Sequence, residues 1–251
     1  MKIDAILSPA ELPALARRDL RDTACVVFDV LRATSTFVTA LHNGAKAVIP
    51  VAEISEALAI RQKQSGVLLG GERDGVKIRA AQTGGVDFEL GNSPREYTPE
   101  KVRDKTIVST TTNGTRALRA CAGAQTVLAA SFLNLAVSAQ FIRQLQPKHI
   151  LLVCAGTREN KADEDVLAAG ALGEILLFDS GRRTVSASVE TAINAWRKAK
   201  SSLLEVVSEA ENARRLLASP ELRGDVAYCL QQDVFNLSAV LGRDGVLRIS
   251  I

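Results

Sequence analysis

The sequence predicts a three-layer α/β/α sandwich built on a mostly parallel or mixed sheet, and three observations carry that expectation. Apolar strand-like runs alternate with helical segments from the start to about residue 178. The runs CVVFDV, TIVST and HILLVCAG are apolar on both faces, as strands are when helices cover both sides of a sheet. Each is followed by a polar turn and then a helical pattern, which is how one parallel strand leads to the next.

Taken in order, KIDAIL and CVVFDV read as the first two strands. After LRATS, Phe37, Val38 and Leu41 recur at helical spacing, so residues 34–43 read as a helix. KAVIPV, EISEALAIRQKQ and GVLLGG continue as strand, helix and strand, and TIVST leads into a helix near 114–121. QTVLAA, a helix near 134–145, HILLVCAG and a helix near 164–178 complete the alternation. From about Ser186 to Gln232 the chain turns helical and charged, with Ala192, Ile193 and Trp196, then Leu203, Val206 and Val207, at helical spacing. That stripe reads as core packing rather than a cofactor contact. GRDGVLRISI closes the chain as a turn and a short strand. No repeat or low-complexity linker divides it, so residues 1–251 read as one domain with a helical C-terminal subregion near 186–232.

A chain of 251 residues, 47% of them hydrophobic, can bury a substantial core. MKIDAILSPAEL carries acidic residues without a long apolar stretch, and no later apolar run nears the roughly twenty residues of a membrane span. The cytosol is the expected location. Cys25, Cys121, Cys154 and Cys229 show no CxxC spacing and read as reduced, structural thiols. The net charge of +3 is spread along the chain and aromatics are only 4%, so neither the basic face nor the stacking rings of a nucleic-acid binder are present. The excess suits small anions. A homo-oligomer stays open, with no sequence feature to decide it.

The chemistry is expected at three polar junctions: VVFDVLRATST, TIVSTTTNGTRAL and HILLVCAGTRENKADEDVLAAG. Parallel strands place such junctions at one edge of a sheet, where ligands bind. A helix N-terminus with Arg32 or Arg116 and neighbouring hydroxyls makes a cradle for phosphate or sulfonate. The competing reading is helix capping. One hydroxyl suffices for a cap, whereas TTTNGT offers five hydrogen-bonding side chains around one glycine.

Carboxylates supply the other half. Asp29 interrupts a buried apolar run and therefore needs a partner or a metal. Glu72 follows another strand in LLGGERDG, and Glu164 and Asp165 open a helix after a third. Hard oxygens beside an anion site point to Mg²⁺ bridging carboxylates and phosphate oxygens. Other chemistries lack their residues: there is no GxxxxGK[ST] loop, and His42 and His149 are isolated. Six residues rather than five separate Cys25 from Arg32, against a cysteine phosphatase, and Leu31 stands where an aspartyl-nucleophile phosphatase of the haloacid dehalogenase type has its second aspartate.

The motifs DVLRATS, LGGER, GNSPREY and TTTNGTRAL, followed by CAGT, EDVLAAG and AYCLQQDVFNL, resemble the 2-phosphosulfolactate phosphatase family in order and over nearly the whole chain. The resemblance implies Mg²⁺-dependent hydrolysis of 2-phospho-3-sulfolactate to sulfolactate and phosphate, a step associated with coenzyme M biosynthesis, on the family's own α/β fold. It implies Asp29 and Glu72 as first metal ligands and the acidic pair after them as the further candidates, Glu164 toward the metal and Asp165 as third ligand or general base. Arg32, Thr34, Ser35, Asn113, Thr115 and Arg116 match the anion cradle, with Arg73, Thr112 and Gly114 beside it. Asn92 and Ser93 match the GNSP loop. The stretch 78–88 is longer than the family pattern, and Arg158 and Glu159 lie where the family varies. The expected activity is thus a phosphatase acting on a small, multiply anionic 2-phospho acid, with catalysis by Asp29, Arg32, Asp165 and Arg116. Its rivals are a phosphatase of another phosphorylated hydroxy acid and a non-catalytic anion-binding protein.

Overall fold

A computed structural model describes residues 1–178 and 184–250. Its first half runs β1 (Lys2–Ile6), β2 (Thr23–Phe28), α1 (Ala33–His42), β3 (Ala47–Val51), α2 (Ile54–Lys63), β4 (Leu68–Arg73) and β5 (Val76–Lys77). Next come α3 (Ala80–Thr83), α4 (Pro99–Val102), β6 (Thr106–Thr110), α5 (Gly114–Ala120), β7 (Thr126–Ala130), α6 (Leu135–Leu145), β8 (His149–Cys154) and α7 (Asp163–Phe178). The last part is β9 (Thr184–Val185), α8 (Ala187–Ala199), α9 (Leu203–Ser208), α10 (Glu211–Leu217), α11 (Arg223–Cys229), β10 (Ser238–Leu241) and β11 (Leu247–Ser250).

Among the described residues the strands form one sheet in the order β5-β4-β6-β3-β11-β10-β7-β2-β8-β1-β9. Helices cover both faces, giving the expected three-layer α/β/α architecture. The mixed character comes chiefly from β10 and β11, an antiparallel hairpin wedged between β7 and β3. The expected closing strand is therefore central to the sheet; its final Ile251 lies outside the described residues.

Side chains alternate across the strands as period two requires. In β2, Val26 and Phe28 pack with α6, α7 and α8, while Cys25 and Val27 pack with α1, α5 and the 3-10 segment Pro9–Arg17. This is why CVVF has no polar face. α2 covers β3, β4 and β6 through Ala57, Leu69 and Val108. All four cysteines are free and buried in these layers.

The sheet is strongly curled. Five strands separate β4 from β2, a distance of about 29 Å if flat at ordinary strand spacing. Yet Glu72 at the end of β4 and Asp29 just after β2 line one cavity. Curling around α1 and α5 brings the carboxyl ends of distant strands together.

α7 is buried on nearly every side, between the sheet and α8. Gly170 permits this: a Cβ there would lie 2.1 Å from the Ala192 carbonyl oxygen of α8. Leu203, Val207, Ala213, Leu216, Val226 and Cys229 extend the same core into α9, α10 and α11, which carries α10 to the rim of the cavity. No helix of the described residues is long and apolar enough to cross a membrane.

Candidate active site

Asp29 ends the β2 run and caps the helix that follows. Its Oδ1 accepts a hydrogen bond from the Ala33 N–H at 3.0 Å, so the first turn of α1 is anchored by the carboxylate itself. Thr34 closes the turn: its Oγ1 donates to the Asp29 carbonyl at 2.9 Å and accepts from the Asp29 N–H at 3.0 Å. Oδ2 of Asp29 has no hydrogen bond among the described residues, and Asp29 lines the cavity. Burial pushes this carboxyl up to about 7, with the charges of Glu72 and Glu164 adding to the rise. The Ala33 N–H and Arg32 pull the other way.

The other carboxylates differ in how fully they are occupied. Glu72 Oε1 accepts from the N–H and Oγ1 of Thr112 at 2.9 and 3.0 Å, and Oε2 from the Gly75 N–H at 2.6 Å. It thereby ties the β4–β5 turn to the β6–α5 junction. Glu164 is 1% exposed; Oε1 accepts from Asn212 Nδ2 at 2.7 Å, while the buried Oε2 has no partner. Burial raises its pKa. The Asp165 oxygens accept from the N–H groups of Val30 and Gly156 at 2.8 and 2.9 Å. Asp165 is not among the residues that line the cavity, and burial with the charges of Asp29 and Glu164 raises it well above the usual carboxylate range. In this position it fastens the β2 and β8 junctions together, because a carboxylate whose two oxygens both hold backbone amides is poorly placed to take a proton from a water in the cavity.

Arg32 is buried, with Nη1 donating to Asp225 Oδ2 at 2.8 Å and Nη2 to the Gly75 carbonyl at 2.9 Å. The other oxygen of Asp225 accepts from Ser93 Oγ at 2.7 Å, and the Asn92 carbonyl accepts from Thr36 Oγ1. The GNSP loop is thus pinned against α1 and α11. Asn92 faces the cavity with a buried Oδ1 that has no partner. Asn113 also lines it, and its Nδ2 donates to the carbonyls of Ala155 and Arg158 at 2.9 and 3.1 Å, joining the second junction to the third.

Several residues of the expected cradle stand elsewhere. The Ser35 and Thr115 hydroxyls donate to the Val30 and Thr111 carbonyls at 2.8 and 2.7 Å, within their own turns. Arg73 is bound to the carbonyls of Glu72 and Ala52 and to Thr110 Oγ1. Arg116 points to the surface, paired with Glu159 at 2.8 Å, and does not line the cavity. These side chains build the junctions; the cavity belongs to others.

The cavity, about 90 Å³, is lined by Asp29, Arg32, Glu72, Asn92, Thr112 and Asn113 of the expected set. Asp74, Arg158, Asn212 and Arg215 were not expected there. Nor was Asp225 expected as the partner of Arg32, although an acidic residue four positions before Cys229, on the apolar face of α11, was a readable signal.

Gly114 is where α5 meets α1. A Cβ there would lie 2.6 Å from the Ala33 Cβ and 2.7 Å from Asp29 Oδ2. Gly114→Ala is expected to destabilise the protein by about 1–3 kcal/mol, as overpacking does, and to lower activity by displacing the Asp29 carboxylate. Denaturant titration alongside a turnover assay reads both effects; an unchanged kcat would show that the Asp29 position tolerates the shift.

Comparison with known proteins gives one consistent result. A sequence model of the 2-phosphosulpholactate phosphatase family matches residues 9–243. A protein of Caldanaerobacter subterraneus subsp. tengcongensis, named probable 2-phosphosulfolactate phosphatase, is 39% identical over 239 residues, covering 93% of each chain. A protein of the same name from Thermotoga maritima is 39% identical over 233 residues, covering 93% of this chain and 92% of its own. Another from Synechococcus sp. is 36% identical over 252 residues, covering 99% of both.

Proposed function

The chain belongs to the 2-phosphosulpholactate phosphatase family, and from that premise we propose that it is a cytosolic phosphoric monoester hydrolase converting 2-phospho-3-sulfolactate to 3-sulfolactate and phosphate. The observation that carries this reading is the cavity itself. Hard carboxylate oxygens and guanidinium groups face one space at the carboxyl ends of the parallel strands of a curled, mixed sheet, the combination that phosphoryl transfer requires.

Mg²⁺ fits the donor set. Glu164 Oε2 and Asn92 Oδ1 are buried oxygens without partners, and Asp29 Oδ2 is free toward the cavity. Among the described residues no three Asp, Glu, His or Cys side chains converge closely enough to hold a metal by themselves. Mg²⁺ commonly takes only one or two protein carboxylates and completes its shell with water and substrate phosphate. Asp29 would hold it from the cavity wall, with Glu164, whose charge acts on Asp29 although it does not line the cavity, as the second carboxylate. Bound there, it would neutralise charge on the phosphoryl oxygens.

The chain's own groups do the rest. Arg32, locked by Asp225 and the Gly75 carbonyl, keeps its remaining N–H groups fixed for phosphoryl oxygens, so little reorganisation is needed during transfer. Thr112, held through its N–H and hydroxyl by Glu72, and Asn113, held through its amide to two carbonyls, keep the facing wall in place. Water attack is the favoured route, since Leu31 leaves Asp29 without the neighbouring acid that an aspartyl-phosphate cycle uses.

Phosphate release from 2-phosphosulfolactate and a panel of phosphorylated hydroxy acids tests the proposal. Release is expected to be strongest on 2-phosphosulfolactate, to stop with EDTA and to return with Mg²⁺. Preference for another panel member would change the substrate, and no release from any would favour an anion-binding protein without turnover.

A further inference from the structure

The proposed substrate carries a phosphate, a carboxylate and a sulfonate, whereas the cavity contributes three carboxylates of its own, Asp29, Glu72 and Asp74. Arg32 is one cation set against this charge. Among the described residues lining the cavity, the only others are Arg158 and Arg215.

Their placement differs from that of Arg32. Arg158 sits in a tight turn closed by paired backbone hydrogen bonds between Thr157 and Asn160, at 2.8 and 2.9 Å. Its φ of 55° is a left-handed value that a long side chain rarely adopts. The Asn113 amide holds its carbonyl. Its guanidinium has no hydrogen bond or ion pair among the described residues, so the strained turn presents a free fork. Arg215 reaches the cavity from α10 and, among the described residues, is paired only with Glu211 one turn away, an exposed contact of little strength. Asn212, also on α10, fixes that helix to the site by donating to Thr157 Oγ1 at 2.5 Å and Glu164 Oε1 at 2.7 Å. One amide thus joins the turn bearing Arg158, the helix bearing Arg215 and the buried carboxylate.

We propose that Arg158 and Arg215 form a subsite for the substrate's sulfonate and so decide which phosphorylated hydroxy acid is hydrolysed. The proposal rests on the phosphatase reading above. A sulfonate stays ionised at any physiological pH and offers three acceptor oxygens, which suits two guanidinium forks.

The test compares kcat/KM for 2-phosphosulfolactate with that for 2-phospholactate, which keeps phosphate and carboxylate but lacks the sulfonate. In the double variant R158A/R215A the ratio of the two is expected to fall about 30-fold or more, mostly through KM on the sulfonated substrate. R158K, which keeps the charge but loses the fork, should fall between wild type and R158A. A ratio within about threefold of wild type would overturn the subsite, since the arginines would then serve both substrates alike. If wild type releases phosphate from neither compound, the phosphatase reading fails separately. Calorimetric binding of 3-sulfolactate then decides the subsite: weakening of about tenfold in the double variant supports it, and equal binding or none to wild type overturns it.

Discussion

Asp29→Asn is expected to yield a folded protein that has lost turnover yet gained stability at neutral pH. Asparagine is nearly isosteric and its Oδ1 can still accept the Ala33 N–H, so α1 keeps its anchor. What disappears is the charge facing the cavity and with it a hard anionic oxygen. Loss of several kcal/mol of charge stabilisation corresponds to a fall in kcat of about a thousandfold or more. The stability gain follows from the raised pKa. Burial, with Glu72 and Glu164 nearby, moves Asp29 from an ordinary 3.8 to about 7 in the folded protein. Between those values the native state binds the proton that the unfolded chain has released, so wild-type stability falls as pH rises through the window and stays reduced above it. In metal-free buffer the variant should therefore melt higher than wild type above about pH 7, with the difference shrinking toward pH 4. Melting curves in EDTA across that range check the claim. A variant that retains activity would remove Asp29 from the chemistry, and one equally stable at every pH would show that the carboxylate is not strained by its surroundings.

Asp29 was legible in the sequence because a charge inside a continuous apolar run has no bland explanation, and the βα junctions because strand, turn and helix are neighbours in the chain. The hydroxyls were legible only as a class. Thr34, Ser35 and Thr115 donate to carbonyls of their own turns, local back-bonding rather than capping of helix N–H groups, while Thr112 opens onto the cavity; residue type does not separate the two jobs. The curl of the sheet could not be read, since the two halves of the sheet meet only through pairings of β11 with β3 and β10 with β7, segments far apart in sequence joined through a strand as short as SAVL. For the same reason nothing singled out Asn212 and Arg215 within a helical, charged stretch. Only the packing of Ala213 and Leu216 into the core turns their face of the helix toward the cavity rim. Arg116 shows the converse, a residue in the right motif whose helix carries it to the surface.

Asp225→Ala is expected to be the most destabilising of these substitutions. Asp225 and Arg32 are both almost wholly buried, 0% and 3% exposed, and Asp225 also accepts from Ser93. Removing one partner leaves a buried guanidinium that cannot lose its proton and keeps only the Gly75 carbonyl as a hydrogen-bond partner, a penalty of about 3–5 kcal/mol. For a chain of this size each kcal/mol lowers Tm by roughly 2–4 °C, so differential scanning calorimetry resolves it easily. Activity should fall as well, because Arg32 would no longer be held against the Gly75 carbonyl in one orientation. Stability and function can be separated by replacing the whole pair. In Arg32→Met with Asp225→Leu neither charge remains buried, and apolar substitution of an ion pair is often neutral or stabilising. That double variant should recover most of the lost stability while remaining inactive. Recovery of both would mean that Arg32 serves only the fold, and recovery of neither would mean that the Ser93 bond, rather than the ion pair, is what holds the GNSP loop against α11.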